Sequence, residues 1–383
     1  MNFVILNYWD IVAKAYNTTL SFILLAMVFL MVYIGKTGRK KNPYGGLSTF
    51  VCASLLLFVA YYNSVIGLFQ YPLTGFMIWW IGILILLFGG FGYLVKKTDR
   101  KMTEEDFNTP NGDLSRIKRY IKKMEEQNPY REQIPIKMEI VRKSFHLTGL
   151  LFIFGYFGCI ILPPIADLAN LGIYILITST EPLYNVLWGE VSNYPYVLGS
   201  LEGIIDITLF GLIGAFMFMV ISDLIRVLWG PKYSMFNFLT RSVLRNQEHN
   251  AVGPHIYLIV GAIFTYLLYV LGVVHILAFT AGLMIACFSD ALAALVGRIF
   301  GNKKVICIGG QEKTIEGFIA GVASAYLFAL VIVGPIYAII GALIFFIFDY
   351  FPMVIADNIL NPIFITLGIQ LFQIILVFPL GLF

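Results

Sequence analysis

Residues 286–317, ACFSDALAALVGRIFGNKKVICIGGQEKTIEG, carry charged side chains where an apolar helix would otherwise cross a membrane. Ser289 and Asp290 interrupt the apolar run, and Arg298 follows eight residues after the aspartate. A short loop then leads to Glu316 at the start of the next apolar segment. A charge within a membrane span costs about 2.5 to 3.5 kcal/mol on insertion scales. We therefore expect this stretch to carry function.

The composition of the chain is that of a polytopic membrane protein. Of its 383 residues, 59% are apolar and only 13% are charged, and the mean hydropathy is +0.83. Soluble domains carry about 25% charged residues, so a soluble globular class is excluded. The four cysteines are scattered and form neither a CxxC motif nor a Cys/His cluster. We expect no disulfide framework and no zinc site.

Apolar runs of about 20 residues, long enough to span a bilayer, recur along the chain. They predict an all-α helical bundle of about ten transmembrane spans at 17–35, 47–69, 73–95, 145–162, 203–229, 254–272, 274–297, 316–334, 336–350 and 359–383. The segment 163–202 is apolar but broken by prolines, which predicts a re-entrant or interfacial hairpin, or a tight pair of spans. The chain thus divides into N-terminal helices (1–95), a charged insert (96–138) and a membrane domain (139–383).

The basic residues are confined to a few loops. Apart from Lys14, every lysine and arginine lies in one of four segments, 36–46, 96–143, 226–245 and 298–313. The positive-inside rule places all four in the cytosol and the N-terminus outside, provided that 163–202 crosses the membrane an even number of times. Within the insert, SRIKRYIKKMEEQ has helical spacing. It predicts a solvated cytosolic helix near anionic headgroups, with nucleotide contact as the alternative.

A first polar motif precedes the span at 145–162. Glu139, Arg142, Lys143 and His146 share one helical face at the cytosolic boundary of the membrane. An arginine suits bidentate phosphate recognition and a lysine offers a point charge. The alternative is an ordinary positive flank whose long side chains reach the headgroups.

The opening stretch supplies a second motif. Asp290 lies about 12 Å along a helix from Arg298 at 1.5 Å per residue, so it is only slightly submerged. We interpret it as a general base or a Mg²⁺ ligand, with a helix-bundling hydrogen bond as the alternative. Gly297 and Gly301 would let backbone approach phosphate, and Lys313 would neutralise transferred charge. Glu316 is a second metal-ligand candidate or a helix N-terminal carboxylate favoured by the dipole.

Two further polar sets fall on the same predicted side. One contains Glu248 and Asn250, which are interpreted either as ligands at a helix N-terminus or as parts of a polar loop. The other contains Asp357 and Asn358 before the last span, where helix capping is the alternative. Asp223 and Arg226, three residues apart, are interpreted as neutralising one another. The shared side of these sets predicts a single site at the cytosolic face.

The motifs ExxRKxxH (139–146), SDAxAxxGRxxG (289–301), KTxEG (313–317) and DNxxxP (357–362) together resemble the CTP-dependent lipid kinases. That family comprises dolichol kinase and its phytol and diacylglycerol kinase relatives. The resemblance covers about 139–370. It implies CTP as phosphoryl donor, a divalent cation such as Mg²⁺, a dolichol-type or other lipid alcohol as acceptor, and no nucleic acid partner.

The residues themselves and the resemblance together predict individual roles. Asp290, Lys313 and Glu316 are predicted to be catalytic, and Asp290, Glu316 and Asp357 are predicted to hold the metal. The residues predicted to contact the nucleotide are Arg142, Lys143, His146, Ser289, Gly297, Arg298, Gly301, Thr314, Gly317 and Asn358. The chain departs from the family at Glu312, where a second lysine is frequent, and residues 1–138 have no counterpart.

Two alternatives remain open from the sequence. The related enzymes that make CDP-diacylglycerol carry a PGHGGxxDRxD signature, which this chain lacks, so a lipid cytidylyltransferase is the second enzyme hypothesis. A membrane transporter is the hypothesis from another class, suggested by intramembrane charge and the broken segment 163–202.

Overall fold

The computed structural model describes residues 8–40, 42–69, 73–110, 112–125, 135–144, 201–237, 252–307, 312–351 and 353–381, with isolated positions between 164 and 182. Within these residues the chain is almost wholly helical, and its one sheet is a short two-stranded hairpin. The predicted all-α membrane bundle is confirmed.

The helices of the N-terminal part and the insert come first along the chain. They are α1 (Tyr8–Gly38), α2 (Pro43–Ile66), α3 (Leu73–Asp99), α4 (Glu104–Asn108), α5 (Arg116–Glu125) and α6 (Ile136–Ser144). Asn42 caps α2 by accepting a hydrogen bond from the backbone N–H of Gly45, and Pro43 occupies the first turn, where a missing N–H is tolerated.

The remaining elements form the larger membrane unit. They are α7 (Leu201–Leu228), a 3₁₀ turn (Pro231–Tyr233), α8 (Pro254–Val270), α9 (Ile276–Met284), a π-helical turn (Ile285–Ser289), α10 (Asp290–Ile299), β1 (Lys304–Ile306), β2 (Glu312–Thr314), α11 (Ile315–Val333), α12 (Pro335–Tyr350) and α13 (Asp357–Leu376). The π turn joins α9 and α10 into one continuous span, Ile276–Ile299.

Seven of the described helices are long and apolar enough to cross a bilayer, and α8 and α12 are shorter apolar helices. These nine correspond to nine of the ten predicted spans. The tenth, at 145–162, lies outside the described residues, as does nearly all of 163–202. The last helix ends at Leu376 rather than 383, because Val377 adopts a left-handed conformation (φ 59°) that closes the helix.

Two apolar cores hold the bundle together. The larger joins α1, α2, α3, α7 and α8, and the smaller joins α11 and α12; α9 and α13 contribute to both. Alanines such as Ala325 and Ala338 are fully buried in the smaller core, which lets these helices approach closely, as small residues do in membranes. Large apolar side chains such as Leu86 and Val331 point outward, as expected of a surface that faces lipid.

The helix ends next to the basic loops meet at one end of the bundle, called here the basic end. There α1, α3, α7, α10 and α12 finish, and α2, α8, α11 and α13 begin. Polar contacts join these ends: Asp223 accepts from Gly253 N (2.8 Å), Tyr257 donates to Gly45 O (3.0 Å), and Ser48 accepts from Ala356 N (2.9 Å). The described members of the polar sets predicted to share a side therefore lie toward one end of the bundle.

The opposite end is joined by contacts without basic side chains. Gln370 accepts from His275 N (2.6 Å) where α9 begins, and Tyr337 donates to Phe378 O (2.8 Å). Between α1 and α2, Asn63 donates to Asn17 O (2.8 Å) and to Ser21 (2.9 Å). The two bonds of Asn63 satisfy buried polar groups.

Candidate functional site

The π-helical turn sets the position of Asp290. It adds a residue to the helical turn just before this aspartate, and such π-bulges occur frequently at functional sites. Ser289, the last residue of the turn, is fully buried, and its hydroxyl has no hydrogen-bond partner among the described residues. The interruption read from the sequence is therefore a local change of helix geometry.

Lys143 and Asp290 form an ion pair across 147 residues of sequence. The Lys143 ammonium donates to Asp290 Oδ2, and this contact fixes α6 against the start of α10. The Lys143 side chain is 7% exposed and that of Asp290 is 19% exposed. Both charges lie at the rim of the bundle, where water reaches the carboxylate.

Glu139 and Arg298 form a second ion pair between the same two helices. Arg298 Nη2 lies 3.1 Å from Glu139 Oε2, and Glu139 is fully buried while Arg298 is 33% exposed. Because Glu139 contacts the end of α10 and Lys143 its beginning, α6 runs antiparallel to α10. In the predicted polar stripe 139–146, the described charged side chains, Glu139 and Lys143, thus face α10.

Lys313 brings a third segment into the site. The hairpin pairs Lys304 with Thr314 and Val305 with Lys313, and this places the Lys313 ammonium against the end of α12. There it donates to Asp349 Oδ1 (2.5 Å) and to the Asp349 carbonyl (2.7 Å). Asp349 is buried and lies within electrostatic range of Asp290 and Asp357. The sequence analysis assigned no role to Asp349.

The site glycines pack helix against helix. A Cβ on Gly317 would lie 2.5 Å from Ala293 O and 2.8 Å from Gly297 Cα, and one on Gly297 would lie 2.7 Å from the Thr314 hydroxyl. A Cβ on Gly301 would meet the carbonyl of Gly297 at 2.1 Å. These glycines therefore let α10 and the start of α11 touch through backbone, and their contact with nucleotide stays a prediction.

Three residues predicted in the site make local contacts. Thr314 caps α11 by accepting from Gly317 N (3.2 Å). Glu316 accepts from Lys303 N at 3.3 and 3.4 Å, which ties the loop after α10 to the start of α11. Asp357 is the first residue of α13 and accepts from the N–H of Asn358 (2.8 Å). The N-cap position belongs to Ala356 and no side chain caps the helix, so the capping alternative for Asp357 is not borne out.

The predicted metal ligands do not form a preassembled set. The part of the chain that the structure describes contains no group of three or more His, Cys, Asp or Glu side chains arranged to hold a metal ion. Mg²⁺ is commonly bound by only one or two carboxylates together with substrate phosphates and water. Asp290, which water reaches, fits such a ligand, and Glu316 and Asp357 do not join it in one cluster.

Several predicted site groups lie outside the described residues. They are His146, Glu248, Asn250 and the side chain of Arg142, whose backbone belongs to α6. Glu312, where the lipid kinases that the sequence resembles often have lysine, forms an exposed ion pair with Lys304 across the hairpin (3.0 Å). That position therefore stabilises the hairpin that presents Lys313.

A separate charged cluster lies where α7 meets α8. Arg226 donates to both oxygens of Asp223, at 2.5 and 3.1 Å, and both side chains are 1% exposed. Asp223 also accepts from the backbone of Gly253, against which the His255 ring folds. The predicted mutual neutralisation of Asp223 and Arg226 is thus observed, with the additional role of holding the start of α8.

No family model, no curated protein and no solved structure matches this chain. An assignment of function therefore depends on the residues of the site.

Proposed function

We propose that this protein transfers the γ-phosphoryl group of CTP to the hydroxyl of a membrane isoprenoid alcohol of the dolichol or polyprenol type. The observation that carries the proposal is the meeting of three cations and three carboxylates from four segments at the basic end: Lys143, Arg298 and Lys313 with Glu139, Asp290 and Asp349. By the positive-inside rule this end belongs to the cytosol, where CTP is available.

The cations account for binding of the triphosphate. Phosphoryl transfer needs chiefly positioning and neutralisation of charge, because the protein does little covalent chemistry. Lys143, Arg298 and Lys313 are each held by a carboxylate and each remain partly accessible or close to the rim. When phosphate oxygens arrive, Lys143 can exchange the water-accessible Asp290 carboxylate for phosphate. Arg298 and Lys313 can bind phosphate with N–H donors other than those that contact Glu139 and Asp349.

The exchange also frees the base. Once Lys143 contacts phosphate, the Asp290 carboxylate can accept the proton of the attacking hydroxyl. The alcohol oxygen forms a bond to the γ-phosphorus, the bond to the CDP oxygen breaks, and CDP leaves. Asp290 would also hold Mg²⁺, which would neutralise charge on the phosphates.

The depth of Asp290 suits an acceptor that arrives from lipid. Asp290 lies about 12 Å along the helix from Arg298, just inside the basic end. On α11, which packs against α10 and runs inward from the basic end, Ile319 (60% exposed), Leu327 (58%) and Val331 (69%) present apolar surface outward. A long isoprenoid chain would lie along this surface while its hydroxyl reaches the carboxylate.

The test is transfer from γ-labelled CTP by the purified protein with Mg²⁺ and a panel of dolichol, shorter polyprenols, phytol and diacylglycerol. We expect label in the isoprenoid phosphate together with released CDP, and no label when ATP replaces CTP. Label in diacylglycerol or phytol would identify that lipid as the acceptor instead. Label released as pyrophosphate would establish a cytidylyltransferase, and no turnover with any acceptor would favour a transporter.

A further inference from the structure

The insert helix α5 is docked on the bundle through its apolar face. Ile121 is fully buried, and the Tyr120 ring contacts Phe91 on α3 with centroids 5.4 Å apart. The Tyr120 hydroxyl donates to Ser234 O (2.5 Å). Lys232 bridges Asp99 at the end of α3 (2.9 Å) and Glu125 at the end of α5 (2.6 Å). The sequence had predicted a solvated cytosolic helix near anionic headgroups, and the structure packs one face of that helix against the membrane domain.

The contacts also fix the depth of α5. Phe91 lies eight residues before the end of α3, about 12 Å at 1.5 Å per residue. The span α3 remains apolar through Val95, and its first basic residue is Lys96. A helix that packs against Phe91 therefore lies beside the last turns of a membrane span, at the level of the lipid headgroups.

The basic residues of α5 fall on two flanks of the helix. Lys118 pairs with Asp106 (2.6 Å) and Lys122 donates to Thr109 O (2.9 Å), so this flank is held by the segment around α4. Arg116, Arg119 and Lys123 have the spacing i, i+3, i+7, which puts them on one stripe, and all three are exposed.

We propose that the stripe Arg116–Arg119–Lys123 binds the headgroups of anionic phospholipids in the adjacent leaflet. Charge complementarity supports this occupant, because clustered basic side chains beside a membrane span attract anionic lipid over about a Debye length. Docking of α5 places the stripe at headgroup depth. The site residues are not involved, so the inference is independent of the proposed kinase activity.

The test measures thermal unfolding of the purified full-length protein in neutral detergent micelles to which lipid is added. We expect phosphatidylglycerol to raise Tm relative to the same amount of phosphatidylcholine. The triple variant R116Q/R119Q/K123Q should lose more than about half of that rise. Each basic residue near the surface contributes a comparable attraction to anionic lipid, and the variant removes all three of the stripe. About 0.5 M salt should also reduce the rise in the unmodified protein.

A matched control removes the same charge elsewhere at the basic end. K36Q/R39Q/K40Q changes three exposed cations at the end of α1 and should lose clearly less of the rise than the α5 variant. Arg116→Lys with Arg119→Lys retains charge and should keep the full rise, which separates loss of charge from misfolding. An equal loss in both triple variants would overturn the proposal. So would an equal rise on addition of inorganic phosphate without lipid, or a rise that the α5 variant leaves intact.

Discussion

Two ion pairs near the basic end show how differently a membrane protein can use charge. Asp223 and Arg226 are neighbours on α7, both 1% exposed, and the carboxylate also accepts a backbone hydrogen bond from Gly253. Lys143 and Asp290 come from α6 and α10, and the carboxylate is 19% exposed. The charges of the first pair are satisfied by neighbours inside the bundle. The second pair joins two helices at a surface that water and ligands reach.

This difference separates structural charge from functional charge. Removing one member of a buried, hydrogen-bonded ion pair strongly lowers the free energy of unfolding, because the remaining charge stays out of water. A pair at the rim can exchange its partner for a ligand, because water and counterions offset the separation. Perturbing both pairs in parallel therefore distinguishes the two roles.

The largest expected effect is on activity. Asp290→Asn should reduce CTP-dependent labelling of the lipid by about 10³-fold, because a positioned general base contributes on the order of 10²–10⁴-fold. Asp223→Asn, measured per folded molecule, should keep labelling within about threefold of the unmodified protein, because its carboxylate lies outside the site. Labelling that survives Asp290→Asn would remove this residue from the mechanism.

The second effect is on stability and has the opposite order. Asp223→Ala should lower the free energy of unfolding by about 3 kcal/mol, because the buried Arg226 loses its carboxylate partner. Lys143→Ala should lower it by less, about 1 kcal/mol, since the Asp290 carboxylate that remains is reached by water. Unfolding in mixed micelles with increasing denaturing detergent measures both. Equal losses would show that the Lys143–Asp290 pair is structural as well.

A third test asks whether the position of the Lys143–Asp290 pair depends on the close packing of α10 against α11. Gly317→Ala puts a Cβ 2.5 Å from Ala293 O, so the two helices must separate, at about 1–2 kcal/mol. Because α10 carries Asp290, lipid labelling should fall along with stability. Gly89→Ala is the matched control, since a Cβ there meets nothing within 4 Å. If both variants behave alike, the glycine contacts do not position the site.

The sequence predicted the helical bundle well because its signals are local. Apolar runs near 20 residues and the segregation of lysine and arginine located most spans, and motif spacing placed Glu139 and Lys143 on one face. What it missed depends on three-dimensional contact. Two of these contacts join residues distant in sequence: Gly297 packs against Gly317, and Lys313 pairs with Asp349. The third feature, the π turn before Asp290, is a small change in helix geometry.

The smallest expected effect extends the comparison to charges outside the membrane. Burial lowers the pKa of Lys232, but its hydrogen bonds to Glu125 and Asp99 outweigh burial and raise the pKa to about 12. Burial raises the pKa of Tyr120 to about 12 as well. Both groups are more strongly protonated in the folded state. Their contribution to docking of α5 is therefore fully present below pH of about 10 and is lost as the pH rises toward 12.

Alkaline pH should thus release α5 before the bundle unfolds, because Tyr120 and Lys232 supply polar contacts that hold it. Cleavage of the insert by subtilisin, which stays active at high pH, should accelerate several-fold between about pH 10 and 12. Lys232→Gln should already speed cleavage at pH 8 and flatten the pH dependence. Lys304→Gln removes a solvated pair on the hairpin and should change neither, so a similar response in both variants would show that α5 is held by its apolar contacts alone.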